Sequence, residues 1–464
     1  MSLLRQSLRQ ALSNAGAAKG SGSGSMRKST PSGSRRSTPT ASRAVSEDEQ
    51  SDSGDESDSD ESLVSHGHSV ASDEGGPSGE APASATWEAD IRGQIDQLTE
   101  KRVSTREEAL QWLVRVMSLC YTADAIESSQ ESLFDSLRRC IRAPKTARES
   151  LLAARAMALW FVAVGVGEEA RYQELSDFLR PHIKSLRVPA TKAQCILTLA
   201  LACFIANGAG GDPFTAIDLI QYFLTTLLTG STSAKETPEV QEAALVSFGL
   251  LFTMLDRAPR QMEHLFDEAG KSHLRALRSD HLPVRTAAGQ NLALMYDMLR
   301  QHGGVDHLTL AGQTKEHDEL VELIGGLATD SSRRRSKKER HDQRAVFREV
   351  QGTVVDGEDP TIRFRVGRAQ LVFDDWAQIH RYHAFRTVLN EGLNVHFQQN
   401  PLLPEVFGDA FERFQYGGGG ASGDGSERVV VSTKSHVAKE RAIQKTKQRD
   451  QRYNATHGLE ELSL

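Results

Sequence analysis

The sequence predicts a mainly α-helical protein: an armadillo/HEAT-like helical solenoid followed by a small α+β C-terminal module, with a disordered N-terminal arm and a basic C-terminal tail. Three observations lead to this prediction. The N-terminal part is of low complexity, the middle carries apolar residues at helical spacing with a longer repeat of forty-odd residues, and the pattern changes again near the C-terminus. We expect the arm at 1–86, the repeat domain at 87–330, a basic linker at 331–344, the α+β module at 345–415, and a Gly-rich tether with a basic helical tail at 416–464.

The N-terminal arm lacks the residues that build a core. Residues 1–86 are mostly Ser, Gly, Ala, Pro and charged residues, without one aromatic side chain. Such a segment cannot bury enough apolar surface to offset the entropy lost on ordering, so we expect it to be disordered. Residues 1–44 contain eight Lys/Arg and no acid, a composition that organelle transit peptides share. We favour a disordered basic segment that faces the acidic tract after it.

The arm also contains candidate phosphorylation sites. Thr30 and Thr38 each precede a proline in a basic context, within a five-residue pattern that occurs twice. Ser46, Ser53 and Ser57 lie in an acidic tract, and each has an acid three residues later, as acid-directed kinases prefer. Phosphorylation would add negative charge to the tract. The alternative is a tract that only keeps the chain soluble.

A repeat of helix pairs is predicted for residues 87–330. Five segments share a turn, then a basic or amide anchor, then small and apolar residues at helical spacing. The anchors are Arg106, Arg148, Lys192, Gln241 and Arg285, which are 42, 44, 49 and 44 residues apart. Two helices per forty-odd residues is the HEAT or armadillo pattern, in which each pair buries its apolar face against its neighbours. The alternative, an irregular helical bundle, does not account for five anchors in near-register.

After the basic linker the apolar period changes from helical to alternating. Residues 347–355 and 362–366 alternate on either side of the turn at 356–360, which predicts a hairpin. Residues 371–373 predict a third strand.

A helix is expected to follow these strands. Asp374 or Asp375 is placed to cap it, and apolar residues from Trp376 to Leu389 recur at three- to four-residue spacing. Gly392 is suited to end it. Strands and helix together predict a small α+β module, packed on the end of the solenoid.

The sequence contains no recognisable catalytic or cofactor site. The four cysteines lie singly in apolar helical stretches, which indicates small core residues in a reducing compartment. The sequence has no run of eighteen apolar residues, the length that would predict a membrane span. Its glycine runs lack the sequence context of a phosphate-binding loop. His380 and His383, three residues apart near two aspartates, raise the alternative of zinc, but no third ligand follows at a recognisable spacing. We therefore predict no enzyme, no metal, no cofactor, no membrane partner and no small-molecule substrate.

The basic C-terminal tail is the most distinctive segment. Residues 434–452 follow the glycine run 417–420 and contain seven Lys/Arg and two acids, whereas the whole chain has a formal charge of −7. The tail is rich in helix formers but has only Val437 and Ile443 to bury, so a polyanion suits it better than a hydrophobic core; a solvated charged end is the alternative. The residues expected to contact RNA phosphates are Lys434, Lys439, Arg441, Lys445, Lys447, Arg449 and Arg452 in the tail, and Arg333, Arg334, Arg335, Lys337 and Lys338 in the linker.

Motifs in the last third of the chain resemble one known family. The run from Asp374 to Phe385 and the run from His396 to Asn400 resemble the C-terminal domain of the interferon-related developmental regulator family. Upstream stretches at 287–294 and 327–331 resemble the family too, and the tail does so more loosely, so that the resemblance covers about residues 90–455. The family-motif residues are Trp376, His380, Arg381, Tyr382, Phe385, His396 and Asn400.

The resemblance implies an armadillo-like domain followed by the family's C-terminal domain, and it implies two roles. One is to bind the ribosome, through ribosomal RNA and proteins, and to repress translation with a C-terminal helix in the mRNA channel. The other is nuclear transcriptional co-regulation in differentiation through co-repressor proteins. We favour the ribosomal role and a cytoplasmic location, because a tethered cationic helix suits an RNA channel. The acidic tract and the basic run at 333–338, which resembles a nuclear localisation signal, suit the alternative.

Overall fold

The computed structural model describes residues 84–208, 212–228, 236–302, 314–330, 336–366 and 369–408. All of them lie in one compact unit. The predicted arm up to residue 83 and the tail from residue 409 onward lie outside the described residues.

Helix pairs dominate the described part of the chain, and consecutive pairs stack on one another. The pairs are α1 (Ser84–Gln97) with α2 (Val103–Leu119), α4 (Gln130–Arg142) with α5 (Ala147–Val164), α6 (Glu169–Ser185) with α7 (Pro189–Asn207), α8 (Pro213–Phe223) with α9 (Pro238–Phe252), α10 (Pro259–Leu277) with α11 (Leu282–Gln301), and α12 (Thr314–Thr329) with α13 (Lys337–Gln351). A short helix α3 (Ala123–Ile126) connects the first pair to the second. The predicted solenoid is therefore confirmed.

The second helices of the pairs form a continuous inner layer. Each contacts the next along the chain, from α2 through α5, α7, α9 and α11 to α13. Because α5, α7 and α9 are covered on both sides, they are apolar around most of their circumference, with Trp160, Phe204 and Phe248 fully or almost fully buried. Within the described residues, α7 is the one helix long and apolar enough to cross a membrane, and 94% of that stretch is buried among its neighbours. Its apolar character is that of a core helix.

The sequence anchors connect neighbouring repeats. Arg106 Nε donates to Glu149 Oε1 at 2.6 Å, Arg148 donates to Gln111 Oε1 at 2.6 Å, and Lys192 pairs with Glu236. The amide of Gln241 donates to the Glu236 carbonyl at 2.8 Å, and Arg285 donates to Gln343 Oε1 at 2.7 Å. In five of the six pairs, a cation or an amide at the start of the second helix thus bonds a residue of the adjacent turn or repeat, which explains the period of the anchors.

Polar side chains within the second helices add a further set of links. Thr191 Oγ1 donates to the Ala147 carbonyl at 3.4 Å, and Thr198 Oγ1 donates to the Ala154 carbonyl at 2.9 Å. Asn291 Nδ2 donates to the Leu245 carbonyl at 2.8 Å. These donors are buried, so their hydrogen bonds remove a desolvation cost and fix the register of one repeat on the next.

The predicted strand at 347–355 is wrong. Helix α13 continues to Gln351 and is followed by a π-helical turn, Gly352–Asp356. Phe347, Val350 and Val354 are all buried, a spacing of three and four residues that lies on one helical face. The same apolar residues had fitted an alternating pattern because the segment is short.

The hairpin forms one step later in the chain. Strand β1 (Ile362–Val366) pairs antiparallel with β2 (Ala369–Phe373), with Ile362 opposite Phe373. Residues 371–373 are in a strand as predicted, but as part of the second strand of the pair.

The prediction of a linker is also wrong for residues 337–344, which form the first half of α13. Ser336 accepts a hydrogen bond from Glu339 N while Glu339 caps the Ser336 N–H, a capping box that starts the helix. Gln343 is fully buried and donates to the Leu327 carbonyl at 3.2 Å and to Asp330 at 3.1 Å. This segment therefore completes the last helix pair of the solenoid.

The helices after the hairpin lie along the inner layer and not on the end of the solenoid, so the predicted placement is wrong. They are α14 (Trp376–Leu389), α15 (Leu393–Gln399) and α16 (Leu402–Phe407). Helix α14 contacts α2, α5, α9 and α11, and α15 contacts α2. Phe385 of α14 packs edge-on against Phe204 of α7, with ring centroids 6.3 Å apart. We call α14–α16 the inner segment.

Gly392 marks the closest approach of the inner segment to the solenoid. A Cβ at this position would lie 1.7 Å from the Ser118 carbonyl oxygen and 2.7 Å from Leu119 Cα, both backbone atoms of α2. We expect Gly392→Ala to lower the free energy of unfolding by about 1–3 kcal/mol, because the backbones must separate. Urea denaturation followed by circular dichroism measures this.

Gly93→Ala provides the matched control. Gly93 lies inside α1, and a Cβ there has no heavy atom within 4 Å. We expect it to stabilise the protein by up to about 1 kcal/mol, because alanine favours the helix. Equal shifts for the two variants would contradict the close approach at Gly392.

Candidate functional site

Trp376 begins α14 and fastens it to α11 and to the turn after α13. Asp375 caps the helix, as predicted for one of two aspartates, and its Oδ1 accepts from Gln378 N at 2.6 Å. The Trp376 indole is fully buried, and its Nε1–H donates to Thr353 Oγ1 at 2.9 Å. Its backbone N–H donates to Asp297 Oδ2 of α11 at 3.4 Å. Burial raises the pKa of Asp297 to about 6.

His380 faces a polar pocket between α9, α10 and α11. Its Nε2 donates to the Gln290 carbonyl at 3.2 Å. The next residue, Asn291, bonds His273, with Asn291 Nδ2 3.1 Å from His273 Nε2. A Cβ on Gly249 would lie 2.4 Å from both Asn291 Oδ1 and His380 Nδ1, so only glycine fits there. Burial lowers the pKa of His380 and of His273 to about 4, which keeps both rings neutral at pH 7.

Arg381 ties three helices together. Its guanidinium donates to the Thr253 carbonyl at 3.0 Å, to Thr253 Oγ1 at 3.2 Å and to the Val406 carbonyl at 3.4 Å. The guanidinium carbon also lies 5.7 Å from the centre of the Phe204 ring. Desolvation lowers the pKa of Arg381, and the carbonyl oxygens supply the acceptors that a buried guanidinium requires.

The remaining family-motif residues serve the same interface. Tyr382 packs against Phe373 at 5.4 Å and Phe385 packs against Phe407 at 6.1 Å between ring centroids. Asn400 Nδ2 donates to the Val162 carbonyl of α5 at 3.0 Å, while its Oδ1 accepts from Leu402 N at 3.0 Å. His396 packs edge-on against Tyr121, with ring centroids 6.4 Å apart, and burial lowers its pKa to about 4. All seven residues therefore hold the inner segment in place.

The alternative of a zinc site gains no support at His380, whose Nε2 is used by the Gln290 carbonyl. Within the described residues, no three His, Cys, Asp or Glu side chains lie together as metal ligands. The four cysteines are free and buried, as predicted, and desolvation raises the pKa of Cys195 and of Cys203 to about 12. Buried thiols with raised pKa values are poor nucleophiles.

The predicted RNA-contacting residues are only partly described. Lys337 and Lys338 are exposed at the start of α13. The other predicted contacts, in the run 333–335 and in the tail, lie outside the described residues, and so do the five candidate phosphorylation sites. The structure therefore brings together the family-motif residues but leaves the tail predictions as they were.

Sequence reasoning missed the solenoid's side of the inner interface. Thr253 and the carbonyls of Gln290 and Val162 accept hydrogen bonds from the motif residues. Asn291 lies next to them and bonds His273 and the Leu245 carbonyl. Asn291 had a usable signal, since it is a polar residue inside the apolar register of α11. Backbone carbonyls have none.

Comparison with known proteins places the chain in a family. The family model described as interferon-related developmental regulator (IFRD) matches residues 51–355, which is more than half of the chain. The chain belongs to the interferon-related developmental regulator family. The match spans the solenoid through α13 and ends before the motif residues of the inner segment.

Relatives of the same family are similar over most of the chain. Mouse interferon-related developmental regulator 2 is 29% identical over 336 residues, covering 69% of this chain and 73% of the relative. Human interferon-related developmental regulator 1 is 25% identical over 329 residues, covering 68% and 70%. Among solved structures, an engineered protein matches with a TM-score of 0.36 and 16% identity, over 57% of this chain and 97% of that one. The names of these relatives are those of regulators.

Proposed function

We propose that this protein is a non-enzymatic, ribosome-binding regulator that represses translation, with its basic C-terminal tail inserted into an RNA-lined channel. The observation that carries the proposal is the tail itself: seven Lys/Arg within residues 434–452, behind a glycine run, in a chain of net negative charge. A cationic helix former with almost no apolar face is suited to phosphate and not to a core.

The arrangement of the inner segment is consistent with this proposal. The polar members of the family motif use their hydrogen-bonding groups on the solenoid, as Arg381 does on Thr253 and Asn400 does on Val162. They rigidify the body and leave partner binding to exposed surfaces and to the tail. Family membership adds that the named relatives are developmental regulators.

The proposal is tested by sedimentation of the full chain and of a version ending at Tyr416 with ribosomes in sucrose gradients. The full chain is expected in the ribosomal fractions, and the shortened one is expected to leave them. A third version keeps the length but reverses the charge of five tail residues, Lys439, Arg441, Lys445, Lys447 and Arg449. It should behave like the shortened chain and separates loss of charge from loss of length.

The outcomes distinguish the proposal from nuclear co-regulation. If all three versions sediment equally with ribosomes, or none does, the tail does not provide ribosome binding and the proposal fails. Binding should also weaken steeply with salt, since each phosphate contact releases counterions. Nuclear co-regulation predicts instead that the shortened chain and the charge-reversed chain bind the same nuclear proteins as the full chain.

A further inference from the structure

The stacking of helix pairs places chemically different turns on two opposite edges of the solenoid. The turns from first to second helix within a pair, at 98–102, 143–146, 186–188 and 278–281, come to one edge, together with the described parts of the two remaining turns, at 236–237 and 336. The turns between pairs come to the other edge. We call them the inner-pair edge and the between-pair edge, each taken with the adjoining turn of helix.

Exposed basic residues recur along the inner-pair edge. Lys101 and Arg102 are exposed in the first pair, Arg142 and Lys145 in the second, and Lys184 and Arg187 in the third. Arg275 and Arg278 are exposed in the fifth pair, and Lys337 and Lys338 in the sixth. The exposed acids on the described part of this edge are fewer: Asp96, Glu100, Asp280 and Glu339.

The between-pair edge has the opposite charge. Its exposed acids are Asp124, Glu127, Glu131, Glu169, Asp212 and Asp256, against the exposed bases Arg257 and Arg260 in the described turns. The solenoid is therefore polarised across its width. The exposed bases are therefore concentrated on the inner-pair edge and are not spread evenly over the described turns.

Contacts between consecutive pairs make this edge one continuous surface. Arg139 of the second pair donates to the Leu98 carbonyl of the first at 3.2 Å, and Thr191 of the third donates to Ala147 of the second at 3.4 Å. Lys192 pairs with Glu236 of the fourth. Arg275 donates to the Leu228 carbonyl at 3.4 Å, and Arg278 pairs with Glu319 of the sixth. With helices packed about 8–10 Å apart, six pairs span about 40–50 Å.

We infer that the inner-pair edge binds the phosphate backbone of double-stranded RNA. A row of cations over this length matches the repeating phosphates of a duplex, and arginine at positions such as Arg142 and Arg187 suits phosphate geometry. The described part of this edge, adjoining turns of helix included, contains no exposed Phe, Tyr or Trp on which bases would stack. This favours a duplex over a single strand. The inference deepens the proposed function and rests on RNA as the partner.

The test is the affinity of the full chain for an RNA duplex of about 20 base pairs, longer than the roughly 16 that a double-stranded RNA-binding domain spans. The edge variant carries Arg142→Glu, Lys145→Glu and Arg187→Glu, all exposed side chains. The matched control carries Arg115→Glu, Arg260→Glu and Arg363→Glu, which are exposed outside this edge and change the charge equally. Both are measured with the natural tail and with the charge-reversed tail.

We expect the edge variant to bind at least about tenfold more weakly than the control, with a slope of log Kd against log salt reduced by about one for each lost phosphate contact. Equal affinities of the edge and control variants would overturn the inference. The inference would also be overturned if the chain with an unchanged edge bound poly-glutamate of matched charge as strongly as the duplex and the edge variant lost both. That result would favour an acidic protein as the partner. Circular dichroism verifies that both variants are folded.

The two proposals fail separately. An edge variant that loses the duplex, together with a chain ending at Tyr416 that still sediments with ribosomes, keeps the edge and removes the tail mechanism. The reverse pair of results removes the edge alone.

Discussion

Glu149→Ala is expected to lower the free energy of unfolding by about 3–5 kcal/mol, because it leaves the buried Arg106 guanidinium without its carboxylate. The Glu149 side chain is 2% exposed and that of Arg106 is 11% exposed. Glu149 also accepts from Lys145 N at 2.8 Å, at the turn before α5. Burial alone would raise the pKa of Glu149, but these hydrogen bonds lower it below its usual value. Urea denaturation at pH 7 measures the loss.

Two controls separate the buried pair from surface charge. The double variant Arg106→Met/Glu149→Leu removes both charges and is expected to be more stable than Glu149→Ala alone. Glu131→Ala removes one of the two carboxylate partners of Arg171, at a position that is 84% exposed, and its cost should stay below about 1 kcal/mol. Similar losses for Glu149→Ala and Glu131→Ala would mean that the anchors do not hold the repeats together.

The repeat architecture was predictable because the anchor residues recur along the sequence every forty-odd residues. Anchors such as Arg106 and Lys192 recur at the start of each second helix, and their partners Glu149 and Glu236 follow 43 and 44 residues later. A stack of similar units places equivalent positions next to each other, so one period specifies both the helices and their neighbours. Identifying the partner itself required the stacked structure.

Two of the wrong structural predictions concern a short segment, 347–355, and the position of the inner segment, which depends on contacts between residues far apart in the sequence. Residues 347–355 carry few apolar side chains, and those fit a strand as well as the end of α13. The position of the inner segment depends on contacts such as Asn400 with Val162, 238 residues apart. No local pattern encodes such a contact, so the predicted position on the solenoid's end had no direct evidence.

Of the two candidate binding surfaces, the tail could be predicted from the sequence and the inner-pair edge could not. The basic tail is one continuous segment and is visible in the sequence. The inner-pair edge is not, because Lys101, Lys145 and Arg187 are separated by more than forty residues each and become neighbours only when the pairs stack. The motif residues were found by resemblance, but their role in packing required the geometry around Arg381 and His380.

Acid is expected to weaken the contact of His380, and His380→Gln isolates that effect. The folded pKa is about 4, against an ordinary value of 6.5, so the unfolded chain binds the proton more tightly. The stability that the neutral ring contributes is therefore complete above pH 6.5 and is lost as the pH falls through 4. The difference between the folded pKa of about 4 and the ordinary value of 6.5 corresponds to about 3 kcal/mol.

At pH 7 we expect His380→Gln to be less stable than the natural protein, because the hydrogen bond to Gln290 and the packing against Gly249 change. That difference should shrink by about 2–3 kcal/mol between pH 7 and pH 4.5, because glutamine does not titrate. Asp297 and Glu349 act with the opposite sign, since burial raises their pKa values to about 6 and about 7. They are present in both proteins and cancel in the difference.

Phe385→Leu is the non-titrating control in the same helix. It removes ring contacts with Phe204 and Phe407, and its cost should be the same at every pH. A His380→Gln difference as independent of pH as that of Phe385→Leu would show that the ring accepts a proton without disturbing the pocket. In that case the inner segment is held by its apolar contacts and by Arg381, and the buried histidine contributes only the packing of its ring.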